Sequence, residues 1–145
     1  AAVCYREGPR GVEFLLVRTT GGRWTFPKGR IETKRGLAGS AAQEALEEAG
    51  VTGVIHPEPV SHYLHAKREL KDSDERGTRF CVSAFPLKVV DERARAPERN
   101  RSPTWFSPNE AKTRLGEDRP VIYQQEFARV IDDVMRHISQ ADWKR

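Results

Sequence analysis

Three glutamates crowd one short stretch of the chain: Glu44, Glu47 and Glu48. The residues around them are rich in alanine and end on Gly50, which reads as a helix closed by a left-handed glycine. At ~100° per residue the three carboxylates fall within an arc of roughly 100°. Ala42, Ala45, Leu46 and Ala49 fall on the opposite side. Like charges at i,i+4 cost ~0.2–0.5 kcal/mol per pair, so such a stripe calls for a counter-charge. A lysine or arginine would serve, and so would a divalent cation. Hard carboxylate oxygens in this number suit Mg²⁺ or Mn²⁺, with water and phosphate oxygens completing the shell. A solvated acidic face is the plainer reading of the three residues taken alone.

The charge around the stripe is positive. The 145 residues carry a net charge of +4, and its distribution is uneven. Residues 1–35 hold eight Lys/Arg against three Glu, a local +5, and residues 93–101 add Arg93, Arg95, Arg99 and Arg101 against Glu98. Basic surface of this kind suits an anionic partner, whether nucleic acid, nucleotide or another polyphosphate, and serves equally as an ordinary solubilising surface. No RNP, zinc-finger or basic-zipper pattern points to nucleic acid, which is not expected. The longest unbroken aliphatic or aromatic run is Phe14–Val17, far below the ~20 residues of a membrane helix, so no membrane partner is expected. The sequence shows no signal-peptide pattern. Cys4 and Cys81 lie in apolar, strand-like runs and read as two buried thiols in a reducing cytoplasm.

These residues must be positioned by a single domain, which this length implies. Residues 2–6 and 12–18 read as a hairpin around the turn Gly8-Pro9-Arg10-Gly11. Trp24-Thr25-Phe26 is a short extended piece stopped by Pro27. A glycine-rich, basic loop covers 28–39. The glutamate helix then starts either near Gly36 or at a capping box on Ser40. Strands follow at 51–56, 60–65 and 79–90, with polar loops at 68–77 and 91–103. Ser107-Pro108-Asn109-Glu110 is a capping box with proline at the first helical position, predicting a helix to about Leu115. Pro120 opens the last helix, where Phe127, Val130, Ile131, Val134 and Ile138 recur at helical spacing. The fold class is α/β.

The glutamates also sit in a longer pattern. Gly29-x5-Arg35-x7-Gln43-Glu44-Ala45-x-Glu47-Glu48-x-Gly50-Val51 resembles the Nudix box, Gly-x5-Glu-x7-Arg-Glu-U-x-Glu-Glu-x-Gly-U with U aliphatic. Gly29, Glu44, Glu47, Glu48, Gly50 and Val51 match at the family's spacing. Arg35 stands where the family has Glu, and Gln43 where it has Arg. Trp24-Thr25-Phe26-Pro27-Lys28-Gly29 is similar to the family's lead-in strand and turn. Ala1-Ala2-Val3-Cys4-Tyr5-Arg6 and Thr104-Trp105-Phe106-Ser107-Pro108-Asn109-Glu110-Ala111, followed by Arg119-Pro120-Val121, resemble the diphosphoinositol and diadenosine polyphosphate phosphohydrolase branch.

The resemblance implies a Nudix-type α/β/α sandwich with a mixed sheet, spanning residues 1–145 as one domain. It implies a metal-dependent pyrophosphohydrolase that cleaves a phosphoanhydride bond in a polyphosphorylated small molecule. Glu44, Glu47 and Glu48 would be its catalytic residues and would hold Mg²⁺, with Mn²⁺ as the alternative ion and the Lys28 carbonyl as a further ligand. The general base would be a box glutamate or an acid of the 68–77 loop such as Glu69, Asp74 or Glu75. Arg119 matches a basic residue that helps hold phosphates in that branch. Lys28 and Arg30, beside the Gly29 turn, and Arg6, Arg79 and Arg101 complete the expected substrate-binding set, with Arg76 a further rim candidate. The partner is an anionic small-molecule substrate, and the protein a monomer or homodimer. The two departures from the box leave a second reading open, a Nudix-like fold that senses a phosphorylated ligand with little or no turnover. His62 and His65 are three apart in a strand and point to opposite faces, which argues against a His-His metal pair. Trp24 and Trp105 read as core or pocket-wall aromatics.

Overall fold

The computed structural model describes residues 1–29, 34–66 and 79–143. Two strands, β1 (Ala2–Gly8) and β2 (Gly11–Arg18), pair antiparallel as the expected hairpin, with Gly8 opposite Gly11. The far edge of β1 pairs in parallel with a long strand from the second half of the chain, Ala2 facing Phe85. The far edge of β2 carries a two-residue strand β3 (Trp24–Thr25), which Pro27 follows. Two further strands, β4 (Val51–Ile55) and β5 (Ser61–Ala66), pair antiparallel with different stretches of the long strand β6 (Arg79–Glu92). A short β7 (Thr104–Phe106) returns to β2. The sheet is therefore mixed.

Alternation along β1 and β2 gives the sheet two apolar faces. Val3, Phe14 and Leu16 join Trp24, Phe26 and Tyr63 on one side. They pack against helix α2 (Pro108–Gly116) and helix α3 (Val121–Trp143). On the other side Ala2, Cys4, Leu15 and Val17 pack against Ala41, Ala45 and Ala49 of helix α1 (Gly36–Glu44) and the turn that extends it. The result is the expected α/β/α sandwich. Ser107 caps α2 by accepting a hydrogen bond from the Glu110 N–H at 3.2 Å, and the five spaced apolar residues of α3 are all buried.

One open choice is resolved and two expectations shift. Helix α1 begins at Gly36, where φ of +70° suits glycine, and Ser40 is buried inside it rather than capping it. Strand β6 runs on to Glu92, so the following loop is shorter than 91–103. Cys4 is buried, but Cys81 is exposed: it lies in the first stretch of β6, where the sheet meets only β5. Both cysteines are free thiols. The 68–77 loop lies outside the described residues. No helix among the described residues is long and apolar enough to cross a membrane.

Candidate metal centre and its cationic rim

Helix α1 does not end as an ordinary α-helix. Ala45–Ala49 form a π-helical turn with wider i→i+5 bonding, and Gly50 closes it at φ +71°. Such turns recur at functional sites because they re-aim side chains within a helix. Here they carry Glu47 and Glu48. Gln43 donates from Nε2 to Glu47 Oε1 at 3.0 Å and so fixes that carboxylate. A neutral amide at position 43 thus still orients a box glutamate, without the cation of the family pattern.

Glu48 is buried, only 4% exposed, which corrects the picture of three carboxylates on one solvated stripe. The neighbouring elements close over it. Burial, together with a hydrogen bond shared with the Glu44 carboxyl, pushes its pKa up to about 8. The Gly29 backbone lies directly against the Glu44 carboxylate. A Cβ at residue 29 would sit 2.7 Å from Glu44 Oε2 and closer still to Oε1 and Cδ. Only glycine permits that approach.

A fourth carboxylate comes from outside the box. The loop after β6 is pinned to the end of the π turn: the Arg93 N–H donates to the Gly50 carbonyl and the Glu98 N–H to the Glu47 carbonyl, each at 2.8 Å. The Ala96 backbone rests on Gly50, where an added Cβ would meet Ala96 Cα at 3.1 Å. This docking brings carboxylate oxygens of Glu44, Glu47 and Glu98 within 4.8 Å of one another. The donor set is all oxygen and all anionic. It fits a hard divalent ion such as Mg²⁺ or Mn²⁺. Sequence reading missed Glu98, whose one signal is an acid standing alone among four arginines.

Cations ring the cluster. The Lys28 ammonium feels Glu48 and Glu44 as well as Arg119 and Arg101, and burial holds its pKa below the ordinary value. Arg101 donates to Glu98 at 3.2 Å and to the Arg18 carbonyl at 3.3 Å. Arg119 donates from Nη1 to the carbonyls of Trp24 and Leu115, both at 2.6 Å, and lies 4.5 Å over the Phe127 ring. Burial and the nearby Arg23 bring its pKa down to about 10. Burial, then Lys28, Arg119 and Arg23, lower His65 to about 4, so its imidazole is neutral at pH 7. The buried Tyr63 hydroxyl, close enough to feel Arg119, has no hydrogen-bond partner among the described residues.

The remaining candidates are dispersed. Arg6 is held on the α1 side of the sheet by Glu13 (2.9 Å) and Glu92 (3.3 Å), its guanidinium 4.1 Å over Trp105. Arg79 opens β6. Arg30, Glu69, Asp74, Glu75 and Arg76 lie outside the described residues. Trp24 is a core aromatic set edge-on to Phe106, and the Trp105 indole donates to Glu92 at 2.8 Å.

The box, the α1 carboxylates and the sandwich carry a recognisable signature, and residues 1–125 match the NUDIX domain family. This chain belongs to the Nudix family. It is 32% identical over 117 residues to Nudix hydrolase 12, mitochondrial, of Arabidopsis thaliana, covering 77% of this chain and 55% of that protein. Nudix hydrolase 17, mitochondrial, of the same plant is 34% identical over 103 residues, covering 70% and 53%. The chain thus spans a little over half the length of these curated relatives. Among solved structures, the Ap4A hydrolase of C. elegans in a binary complex superposes with a TM-score of 0.66 at 19% identity, covering 97% of this chain and 96% of that one. The NUDIX domain of NrtR from Shewanella oneidensis, complexed with ADP ribose, gives 0.66 at 16% identity, covering 94% and 84%. Both neighbours share the Nudix fold.

Proposed function

We propose that this Nudix protein is a divalent-metal-dependent pyrophosphohydrolase that cleaves a phosphoanhydride bond in a polyphosphorylated small molecule of the diadenosine or diphosphoinositol polyphosphate type. The observation that carries it is the carboxylate cluster of Glu44, Glu47 and Glu98, with Glu48 buried beside it and Lys28 and Arg101 at its rim. Nudix hydrolase names among the curated relatives and the Ap4A hydrolase among the structural neighbours support the reaction class.

Glu44, Glu47, Glu48 and Glu98, with the Lys28 carbonyl, would hold Mg²⁺ or Mn²⁺. When bound, the ion neutralises pyrophosphate charge and lowers the pKa of an attacking water. The chain's own groups do the rest. Gln43 holds Glu47 in place, Gly29 lets the loop backbone reach Glu44, and Lys28 and Arg101 bind phosphate oxygens. A box glutamate or an acid of the 68–77 loop would accept the proton of the attacking water. The sensor reading drew its support from the departures at Arg35 and Gln43. The Gln43–Glu47 hydrogen bond weakens it. Free thiols suit the reducing cytoplasm; the plant relatives are named mitochondrial.

The test is metal-dependent release of phosphate or mononucleotide from a panel of diadenosine polyphosphates, diphosphoinositol polyphosphates, ADP-ribose, NADH and nucleoside triphosphates. Turnover that needs Mg²⁺ and falls about a hundredfold or more in Glu47→Gln is the expected result. No turnover on any member, with tight binding retained, would replace the enzyme by the sensor.

A further inference from the structure

A cleft of about 430 Å³ opens beside the carboxylate cluster, between the end of the π turn, β7 and the loop after β6. Its wall includes Glu98 and Arg101, so it is continuous with the candidate metal centre. The acids lining it are already engaged. Glu98 pairs with Arg101, and Glu92 accepts from Arg6 and from the Trp105 indole. Arg93, Arg95 and Arg99 also line the cleft, all exposed, and none forms an ion pair among the described residues. Three guanidiniums on one short loop repel each other, and no buried contact requires them there.

Their scaffold is nevertheless fixed. The loop is tied to Gly50 and Glu47 by the backbone bonds of Arg93 and Glu98, and at its far end the Arg101 carbonyl accepts from the Arg18 N–H at 2.6 Å. Guanidinium forks match phosphate oxygens in bidentate pairs, and a fixed backbone lowers the ordering cost of binding. We infer that Arg93, Arg95 and Arg99 form a second anion subsite that takes a phosphate group of the substrate remote from the bond being cleaved. The inference rests on the hydrolase reading and assigns residues to the substrate phosphates that lie beyond the scissile bond. Compounds with phosphate beyond the scissile pyrophosphate are preferred over those with a pyrophosphate alone.

The test replaces all three as Arg93→Ser, Arg95→Ser and Arg99→Ser. Inositol hexakisphosphate, inorganic tripolyphosphate and ADP-ribose are titrated calorimetrically into the metal-free wild type and the variant. The expected result is a loss of about tenfold or more for at least one of the two polyphosphates, with ADP-ribose changed by less than about twofold. A larger loss for the hexakisphosphate assigns the subsite to ring-borne phosphates, and a larger loss for tripolyphosphate assigns it to a linear chain. Unchanged affinity for both polyphosphates overturns the subsite, and so does an equal loss for ADP-ribose. Should the triple variant fail to fold, Arg95→Ser and Arg99→Ser singly give the same comparison. Binding needs no turnover, so this outcome is read separately from the hydrolase panel. On an active enzyme, the variant raises KM for the longer substrate and leaves kcat in place.

Discussion

A methyl group on Gly29 would lie 2.7 Å from Oε2 of Glu44 and nearer still to two other atoms of that carboxyl. Gly29 also lacks a positive φ, so its identity is set by the carboxylate and not by the backbone. Gly29→Ala is therefore expected to swing Glu44 away, weakening Mn²⁺ binding by about 10–100-fold. The melting temperature should move little. Calorimetric titration of Mn²⁺ checks this, and an unchanged affinity would show that Glu44 is not a ligand. Glu48 supplies a pH signature. Its folded pKa of about 8 lies above the ordinary carboxylate value of 4.5, so the folded state holds the proton more tightly than the unfolded chain. The stabilisation is complete below about pH 4.5 and is lost as pH rises through 8. The metal-free protein should thus lose stability, on the order of a few kcal/mol, across that window. Glu48→Gln should flatten the curve. Urea unfolding in chelator at several pH values measures it, and an equally steep fall in Glu48→Gln would remove Glu48 as the cause. The spacing of Glu44, Glu47 and Glu48 was legible in the sequence, because a helix converts spacing directly into a shared face. The burial of Glu48 was not, because the cover comes from other elements.

At the scale of elements, the site is a junction between the π turn and the loop after β6, and Gly50 is its hinge point. The sequence announced Gly50 as a left-handed cap, and the structure holds it at φ +71°. What the sequence could not show is that the Ala96 backbone uses the same missing side chain as a landing place. Gly50→Ala combines left-handed strain of about 1–3 kcal/mol with a push on Ala96. It should lower Mn²⁺ affinity as well as stability, through a displaced Glu98. A core variant of matched destabilisation, Val130→Ala, serves as the control: equal loss of metal binding in both would mean that the loop does not position Glu98. Glu98 itself illustrates why the candidate site was only partly readable. It is remote from the box in sequence and arrives through two backbone hydrogen bonds that no local pattern encodes. Arg6 shows the same. It stands in the local hairpin, but its partner Glu92 lies far along the chain, so no local pattern announces that ion pair. The capping box on Ser107 and the apolar stripe of α3, both local signals, were read correctly.

Across the whole molecule, Arg119 ties three elements together. One guanidinium nitrogen serves the carbonyls of Trp24 in β3 and Leu115 in α2, while the side chain lies over Phe127 in α3. Arg119→Met would leave both carbonyls without that donor. A loss of about 2–4 kcal/mol is expected from two hydrogen bonds to a charged group that are not fully additive. The urea midpoint reports it, and a change below about 0.5 kcal/mol would mean that water replaces the arginine at no cost. The sheet carries a last consequence. Its central strand β1 is bonded on one side to its nearest sequence neighbour, β2, and on the other to β6, with Ala2 facing Phe85. The hairpin can close within microseconds, whereas the parallel partner requires a loop of some eighty residues to be brought in. Until then Val3 and its neighbours present an open, apolar edge to any other chain. Glu98 follows β6 and is brought to Glu47 by the more local pairing of β6 with β4, which closes a loop about half as long. The carboxylate cluster can therefore assemble before the edge of β1 is covered, so the order of the two closures decides how long that edge stays open.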